Sequence, residues 1–374
     1  MRLGGLTWWR NNYGSILQAY ALQETLNSIN GIEYEIICQY GKKVASASNF
    51  IEKVKRIGLM KSLKRIVWKF GLPQLRNRNN RIQAFMDNYL KVSQLEYSEE
   101  TIANANKVYD GFVCGSDQIW NPELVSTNSM YWLKFAEKDK KKIAYAPSIG
   151  VDSFTDMQKE EIKNNLADFT AISSREEQGT KLINQLFNEE RCQTVLDPTL
   201  LIDRKVWDEL ASERKYSEPY IFVYMLRGSK AQRKLVKEFA KRKNLKIVTM
   251  PFLDPEKIEL YDFTFGDIKL WDADPTDFIS VIRNAEYVFT DSFHSMVFSC
   301  LYHKEFFTFP KIGKAQLNRV TGLQKLFHIP SRMIDTNTTI EMIEGMELID
   351  WNEVEKVITT KRNESREYLE RNFV

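Results

Sequence analysis

The sequence predicts an α/β fold made of two doubly wound parallel sheets. Short apolar runs bounded by turn residues alternate with segments whose apolar residues recur at helical spacing, which is typical of parallel strands covered by helices on both faces. Charged, Pro-containing sequence interrupts this alternation after residue 203, and the pattern starts again at residue 220. A length of 374 residues suits two domains of ordinary size.

Strands are predicted in the first half of the chain where a short apolar run ends at a polar or glycine-containing turn. These runs are Leu3 to Trp8, Tyr34 to Cys38, Val108 to Cys114, Lys142 to Ala146, Ala171 to Ser173 and Thr194 to Leu196. A helix that includes Ile16 to Leu22 follows the first strand. Parallel sheets bind ligands beyond the carboxyl ends of their strands, so the turns after these runs are where chemistry is expected.

The second half repeats the pattern and predicts a second doubly wound unit. Its elements are strand Tyr220 to Leu226, a Lys/Arg-rich helix near 230–243, strand Lys246 to Thr249, helix 275–284, strand Glu286 to Phe289, helix 295–302 and strand Phe306 to Phe309. We therefore expect an N-terminal domain over 1–203, a linker over 204–219 and a C-terminal domain over 220–350.

Charge and cysteine content exclude several classes of protein. Lys and Arg number 53 against 50 Asp and Glu, a net charge of +3, so no global field calls for a nucleic-acid partner. No apolar segment is long enough to span a bilayer or serve as a signal peptide. The four cysteines lie far apart in apolar surroundings, which predicts reduced core residues, no metal site and a cytoplasmic protein.

Positive charge is concentrated in one insertion, residues 51–82, which holds ten Lys or Arg and a single acidic residue, Glu52. Apolar residues between Leu59 and Phe70 recur at helical spacing, as in a basic amphipathic helix. Its cationic positions are Lys61, Lys64, Arg65 and Lys69. One interpretation is a packed helix with a solvated basic face. The other is contact with an anionic membrane surface or a phosphorylated carrier, which would place the protein on the inner face of the membrane.

Of the three histidines, His294 has the position most typical of a site. It lies between a predicted strand and the helix that follows, so its imidazole is placed at a strand's carboxyl end and a helix N-terminus, where anions bind. His303 and His328 lie at predicted helix ends and are interpreted as structural.

Two further turns carry polar side chains that could line the same cleft. Asn12 to Ser15 follow the first strand and open a helix whose free N–H groups suit a phosphate or carboxylate. Residues Gly115 to Pro122 follow Cys114; there Asp117 supplies a carboxylate and Trp120 a flat face on which a sugar ring can stack.

Taken together, these segments resemble the polysaccharide pyruvyl transferase family along nearly the whole chain. The stretches that carry the resemblance are Asn12 to Gln23, Gly115 to Asn121, Tyr145 to Gly150, Ser174 to Glu176, Asp197 to Leu201 and Thr290 to Ser295. The resemblance implies two Rossmann-like domains that face a cleft in a GT-B-like arrangement, with a C-terminal helix, 351–374, returning to the first domain.

The resemblance also implies an activity, the transfer of pyruvate from phosphoenolpyruvate to a sugar or lipid-linked glycan, with release of phosphate and no cofactor. His294 matches the family's histidine and becomes the candidate acid or phosphate ligand, with Asp117 as a second catalytic candidate. The candidate acceptor-binding residues are Asn12, Tyr13, Gly14, Ser116, Gln118 and Trp120. The candidate donor-binding residues are Arg175, Arg227, Ser292, Ser295 and Arg319.

One residue departs from the family's pattern: Ser292 stands where the family has an arginine, two places before His294. Arg175, Arg227 and Arg319 are candidates to supply the missing charge. Two other functions stay open, a GT-B glycosyltransferase that uses a sugar nucleotide and a non-catalytic glycan-binding protein, because the same fold can serve several functions.

Overall fold

The computed structural model describes residues 1–10, 12–39, 73–226, 228–251, 260–310 and 314–373. They form two parallel sheets. The strands of the first sheet are β1 (Arg2–Leu6), β2 (Glu33–Gln39), β3 (Val92–Tyr97), β4 (Gly111–Cys114), β5 (Lys141–Ala144), β6 (Ala171–Ser174) and β7 (Cys192–Thr194). Those of the second sheet are β8 (Tyr220–Tyr224), β9 (Lys246–Thr249), β10 (Ile268–Lys269), β11 (Tyr287–Thr290) and β12 (Glu305–Thr308).

Helices cover both sheets. In chain order they are α1 (Tyr13–Asn27), α2 (Pro73–Tyr89), α3 (Asp156–Leu166), α4 (Glu177–Phe187), α5 (Arg204–Leu210), α6 (Lys230–Lys243), α7 (Pro275–Arg283), α8 (Phe293–Leu301), α9 (Lys314–Leu326), α10 (Ile340–Glu344) and α11 (Trp351–Phe373). None of the helices in the described ranges has the length and hydrophobicity needed to span a lipid bilayer.

The strand order of each sheet reverses once, which creates a crevice at the reversal. The first sheet runs β3-β2-β1-β4-β5-β6-β7 and the second β10-β9-β8-β11-β12, all strands parallel. The reversals lie between β1 and β4 and between β8 and β11, where neighbouring connections leave in opposite directions. The two predicted polar turns follow β1 and β4, and His294 follows β11.

The predicted α/β class and the division into two sheets are confirmed. Two strands, β3 and β10, were not predicted from the sequence. In β3 only Ser93 and Tyr97 are buried, and β10 has two residues. Both lie at sheet edges, so neither carries the continuous apolar run by which buried parallel strands are recognised. The expected linker, 204–219, begins with helix α5, whose Trp207 is fully buried.

The two halves share one apolar core. The Tyr13 ring of α1 stacks on Phe278 of α7, with centroids 5.6 Å apart, and its hydroxyl donates to the Ala273 carbonyl at 2.9 Å. Trp207 packs edge-on against Tyr20 of the first half and Phe298 of the second. Tyr13, predicted to bind an acceptor, is instead a buried contact between the halves, because its apolar ring faces the second sheet.

Helix α11 returns to the first sheet, as predicted. The Tyr368 hydroxyl donates to the Ala144 carbonyl at 3.0 Å, and the Ser365 hydroxyl accepts from the Leu196 amide at 3.0 Å. The end of the chain is therefore fixed beside β5 and the segment after β7.

The described part of the basic insertion contacts the second half of the chain. Arg78 of α2 is buried and donates to the Pro251 carbonyl at 3.2 Å. Arg81 pairs with Asp274 at 2.7 Å and Asp277 at 2.8 Å. The amphipathic segment predicted between Leu59 and Phe70 lies outside the described residues.

Replacing Tyr13 with Phe should lower the free energy of unfolding by about 1 kcal/mol, because a buried hydroxyl loses its hydrogen bond to Ala273. Urea denaturation would measure the change. Tyr89→Phe is the matched control, since that ring is 42% exposed. Equal stability of the two variants would contradict the assigned contact.

Candidate active site

The first crevice holds a buried hydroxyl–carboxylate pair. Asn12 caps helix α1, its side chain accepting from the Gly14 amide at 3.1 Å. Ser15, in the first turn, donates to Asp117 Oδ2 at 2.5 Å, and the Gln118 amide donates to Asp117 Oδ1 at 2.9 Å. Asp117 thus lies at the carboxyl end of β4 with both oxygens bonded.

His294, at the second crevice, lies against the N-terminus of α1 at the first crevice. His294 lies in the first turn of α8, whose N-cap residue, Ser292, makes no side-chain capping bond. A Cβ atom added to Gly14 would lie 2.2 Å from His294 Nδ1. Only glycine therefore lets the N-terminus of α1 approach the imidazole, and the site is built from both halves of the chain.

A buried arginine organises the charges beside His294. Arg175, which follows β6, donates from Nη1 to Asp197 Oδ2 at 2.8 Å and from Nε to Glu176 Oε1 at 3.2 Å. Its guanidinium lies over the Phe293 ring of α8, 4.2 Å from the centroid. Burial opposes its charge, but the carboxylates of Glu176 and Asp197 raise the pKa of Arg175 above its ordinary value.

Asp197 links the halves electrostatically. Its Oδ1 accepts from the Thr199 amide at 3.0 Å and hydroxyl at 2.6 Å, and its Oδ2 lies 3.5 Å from His294 Nε2. Burial alone would raise the pKa of Asp197, but the neighbouring His294 and Arg175 hold it well below the usual range. Asp197 is therefore ionised at neutral pH.

A second buried guanidinium approaches the first. Arg319 of α9 is only 7% exposed. Burial and then the charge of Arg175 lower the pKa of Arg319. Two like charges close together without water are costly, so the arrangement favours an anion between them.

Several buried polar atoms around these residues have no hydrogen-bond partner within the described ranges. They are Ser148 Oγ, Arg175 Nη2, Glu176 Oε2, His294 Nε2, Ser295 Oγ and Arg319 Nε. Native proteins satisfy nearly all buried polar groups, so a concentration of unpaired ones marks a place where a ligand supplies the partners. Most of them are donors, which indicates an anionic ligand.

A cavity of about 430 Å³ borders this cluster. Arg175, Asp197 and Arg319 line it on one side, and apolar side chains of α9 and α11 on another. Its size falls within the range of about 300–1,000 Å³ that is usual for small-molecule sites. Within the described ranges, no three His, Cys, Asp or Glu side chains gather in a way that could hold a metal ion.

The structure brings only some of the sequence-predicted site residues together. Asp117, Arg175, His294, Ser295 and Arg319 meet at the two crevices. Ser292 is buried at the start of α8, its amide donating to Thr290 Oγ1 at 3.0 Å. Arg227 lies outside the described residues.

The predicted acceptor residues do not form an open surface. Trp120 is 1% exposed and stacks on Trp132 with centroids 5.0 Å apart, so its ring presents no exposed face to a sugar in this structure. Ser116 is fully buried and donates to the Ala146 carbonyl at 3.0 Å. The Gln118 side chain accepts from Asn121 at 3.1 Å. Apolar bulk and satisfied hydrogen bonds place these residues in the scaffold of the first crevice.

His303 and His328 pair with carboxylates of the C-terminal helix. His303 Nε2 lies 3.1 Å from Glu355, and His328 Nδ1 lies 3.1 Å from Glu353. Neither contacts the buried charge cluster.

Sequence reasoning missed Glu176 and Asp197. Both lie in stretches that carried the family resemblance, shortly after a strand of the first sheet. Their position beyond a strand's carboxyl end was an available signal. Glu176 pairs with Arg175, its neighbour in the sequence, whereas the approach of Asp197 to Arg175 and His294 depends on contacts between distant parts of the chain that no local pattern encodes.

Replacing Asp197 with Asn should lower the free energy of unfolding at pH 7 by about 3–5 kcal/mol, because Arg175 loses a buried partner. A carboxyl whose folded pKa is depressed stabilises the protein above its unfolded pKa and loses this effect as pH falls. The difference in unfolding free energy between the variant and wild type should therefore be largest at pH 7 and decrease below about pH 4. Urea unfolding across this pH range measures this difference, and replacement of the exposed Asp168 with Asn is the control. A difference that does not change with pH would contradict the ion pair.

Comparison with known proteins agrees with this geometry. The sequence model described as Polysaccharide pyruvyl transferase matches residues 12–310, most of the chain. No curated protein sequence matches significantly. Among solved structures, UDP-GlcNAc 2-epimerase from Neisseria meningitidis, bound to UDP-GlcNAc, is 10% identical, with a TM-score of 0.51 over 100% of this chain and 98% of the other.

The UDP-GlcNAc 2-epimerase from Methanocaldococcus jannaschii is 13% identical, with a TM-score of 0.50 over 96% of this chain and 99% of the other. At such low identity the similarity shows the fold alone, and it confirms the GT-B-like arrangement of two α/β domains. The span of the family match, which includes the crevices, Arg175, Asp197 and His294, shows that the chain belongs to the polysaccharide pyruvyl transferase family.

Proposed function

We propose that this protein transfers pyruvate from phosphoenolpyruvate to two hydroxyls of a sugar in a glycan, forming a cyclic ketal and releasing phosphate. Family membership supports the reaction class. The main support for phosphoenolpyruvate as the donor is the pair of buried guanidiniums, Arg175 and Arg319, each of which has an unpartnered nitrogen within the described ranges. Phosphoenolpyruvate offers one phosphate and one carboxylate, and guanidinium groups bind both kinds of anion through paired hydrogen bonds.

The donor would lie between Arg175, Arg319 and the first turn of α8. Its anionic groups would accept from Arg175 Nη2, Arg319 Nε and Ser295 Oγ, which have no other partners within the described ranges. The positive end of α8 adds to this attraction. Arg319 also supplies the charge missing at Ser292, because it is buried next to Arg175.

The chemistry requires an acid beside the donor's double bond. In the first step a sugar hydroxyl oxygen bonds to C2 while the C2=C3 electron pair takes a proton at C3, turning the methylene into a methyl group. We assign the role of this acid to His294, whose Nε2 lies 3.5 Å from Asp197. In the second step the C2–O bond to phosphate breaks, the second hydroxyl oxygen bonds to C2, and its proton leaves with the phosphate.

The polar residues of α8 suit a small dianion. His294 and Ser295 lie in its first turn and each has a buried side-chain atom without a hydrogen-bond partner among the described residues.

Calorimetric titration tests the donor directly. Wild-type protein should bind phosphoenolpyruvate and not UDP-N-acetylglucosamine. With methyl glycosides of galactose, glucose and mannose (the glycoside panel), it should release phosphate and form a ketal methyl group visible by NMR. Binding of the sugar nucleotide alone would favour glycosyl transfer, and binding of neither donor would favour a non-catalytic glycan-binding protein.

Association with an anionic membrane surface through residues 51–82 stays a prediction, compatible with a cytoplasmic protein that acts on a lipid-linked glycan. Charge reversal at Lys61, Lys64, Arg65 and Lys69 should release the protein from vesicles containing anionic lipid. Vesicle co-sedimentation measures this. Failure of the wild type to bind such vesicles would contradict the membrane contact.

A further inference from the structure

The described residues that were predicted to bind an acceptor at the first crevice are engaged within the protein. The residues expected to bind it are buried or bonded to one another, and Gly14 contacts the His294 ring. Beside them, Tyr13 stacks on Phe278 and closes the contact between the halves. A sugar can reach the donor from another direction.

The cavity of about 430 Å³ offers that direction. Arg175 and Arg319, the proposed donor ligands, form its inner end, and Leu323 of α9 and Val357 of α11 contribute apolar walls. Lys325 and Lys356, which also line it, are mostly exposed. The cavity thus connects the buried arginines with the surface.

Among the acidic residues that line this cavity, Glu176 has a buried carboxylate oxygen without a partner in the described part of the chain. Its Oε1 is bonded to Arg175 at 3.2 Å, whereas its Oε2 is buried and has no partner among the described residues. The side chain is only 10% exposed and lines the cavity next to both arginines. A buried carboxylate oxygen without a donor is unusual, and in a site otherwise rich in donors it calls for a hydroxyl.

We infer that the cavity between α9, α11 and Arg175 is the acceptor site, that it binds a sugar, and that Glu176 Oε2 accepts the proton of the attacking hydroxyl. The inference rests on the proposed function. The apolar walls suit the C–H face of a pyranose ring, and the carboxylate suits its hydroxyls.

Glu176 completes the proton balance of the first step. As the sugar oxygen bonds to C2, its proton passes to Glu176 Oε2, while His294 loses a proton to C3. In the second step the proton of the other hydroxyl leaves on the phosphate. Glu176 then returns its proton through solvent, and His294 is protonated again.

Gly322 allows the cavity to be tested without disturbing the core. It lies within α9 and lines the cavity, and a Cβ placed on it meets no atom within 4 Å. Gly322→Trp should fill the space, whereas Gly322→Ala leaves it open, and both replace an unfavourable helical glycine. With Gly322→Trp, affinity for the glycoside panel in ligand-observed NMR should fall at least about tenfold, with the Kd of phosphoenolpyruvate within about threefold of wild type.

Glu176→Gln tests the proton acceptor. Phosphate release with the glycoside panel should fall about 100-fold. Binding of both substrates should persist, since the amide keeps a hydrogen-bonding oxygen. Glu189→Gln, at an exposed position beyond the end of α4, is the matched control and should behave as wild type.

The outcomes distinguish failure of the proposed function from failure of the acceptor-site inference. If wild type binds no phosphoenolpyruvate, the proposed function fails and this inference fails with it. If wild type binds the donor but none of the glycosides, or if Gly322→Trp binds them as Gly322→Ala does, the cavity is not the acceptor site. If Glu176→Gln keeps wild-type turnover, Glu176 is not the proton acceptor.

Discussion

Replacing Arg319 with Met should abolish most phosphoenolpyruvate binding and at the same time stabilise the free protein. Arg319 is buried beside Arg175, and burial together with that like charge lowers its pKa. Methionine fills similar volume without a charge, so the free energy of unfolding should rise by about 1–2 kcal/mol. The donor would lose a charged partner worth up to about 3 kcal/mol, so its Kd should rise about 100-fold.

Calorimetry and urea unfolding measure the two effects on the same protein. Arg332→Met is the matched control, because Arg332 is also buried but lies 3.3 Å from Glu305 and away from the site. This variant should be less stable than wild type and bind the donor unchanged. A destabilised Arg319→Met protein with normal donor affinity would mean that Arg319 is structural.

Replacing His294 with Gln should reduce turnover by about 100-fold or more, because the reaction loses the acid that protonates C3 of the donor. Glutamine keeps a polar side chain near Asp197 but cannot supply that proton. The donor's Kd should change by less than about tenfold, since two arginines still bind it. Phosphate release with the glycoside panel measures turnover, and calorimetry measures donor affinity.

His303→Gln is the control for this substitution, since His303 pairs with Glu355 and stacks on Trp351. It should keep wild-type turnover and lose only modest stability. Unchanged turnover in a folded His294→Gln protein would remove His294 from the chemical steps and leave it as a contact between the halves.

The parts of this protein that the sequence predicted depend on neighbours along the chain. Buried parallel strands such as β8 and β11 read as apolar runs because helices cover both of their faces. His294 could be placed at a strand's carboxyl end because the strand and the helix that define this position are contiguous with it. Edge strand β3 was not predicted from the sequence because most of its side chains face solvent.

The roles of several polar and aromatic residues depended on distant partners. Trp120 looked available to a sugar, but Trp132 covers its ring. Arg78 belongs to the basic insertion 51–82, but it is buried and bonded to Pro251. In each case the partner belongs to a different element, so spacing along the chain carried no information about it.

The sequence by itself determined the α/β class, the restart at residue 220 and the turns where chemistry is concentrated, because these follow from local periodicity and from turn residues. Only the tertiary structure decided that Arg175 and Arg319 are buried near each other, that Asp197 reaches His294, and that Glu176 lines a cavity bordered by α11. Burial and charge pairing arise between elements far apart in the chain, and both depend on distances that exist only after the two sheets have packed together.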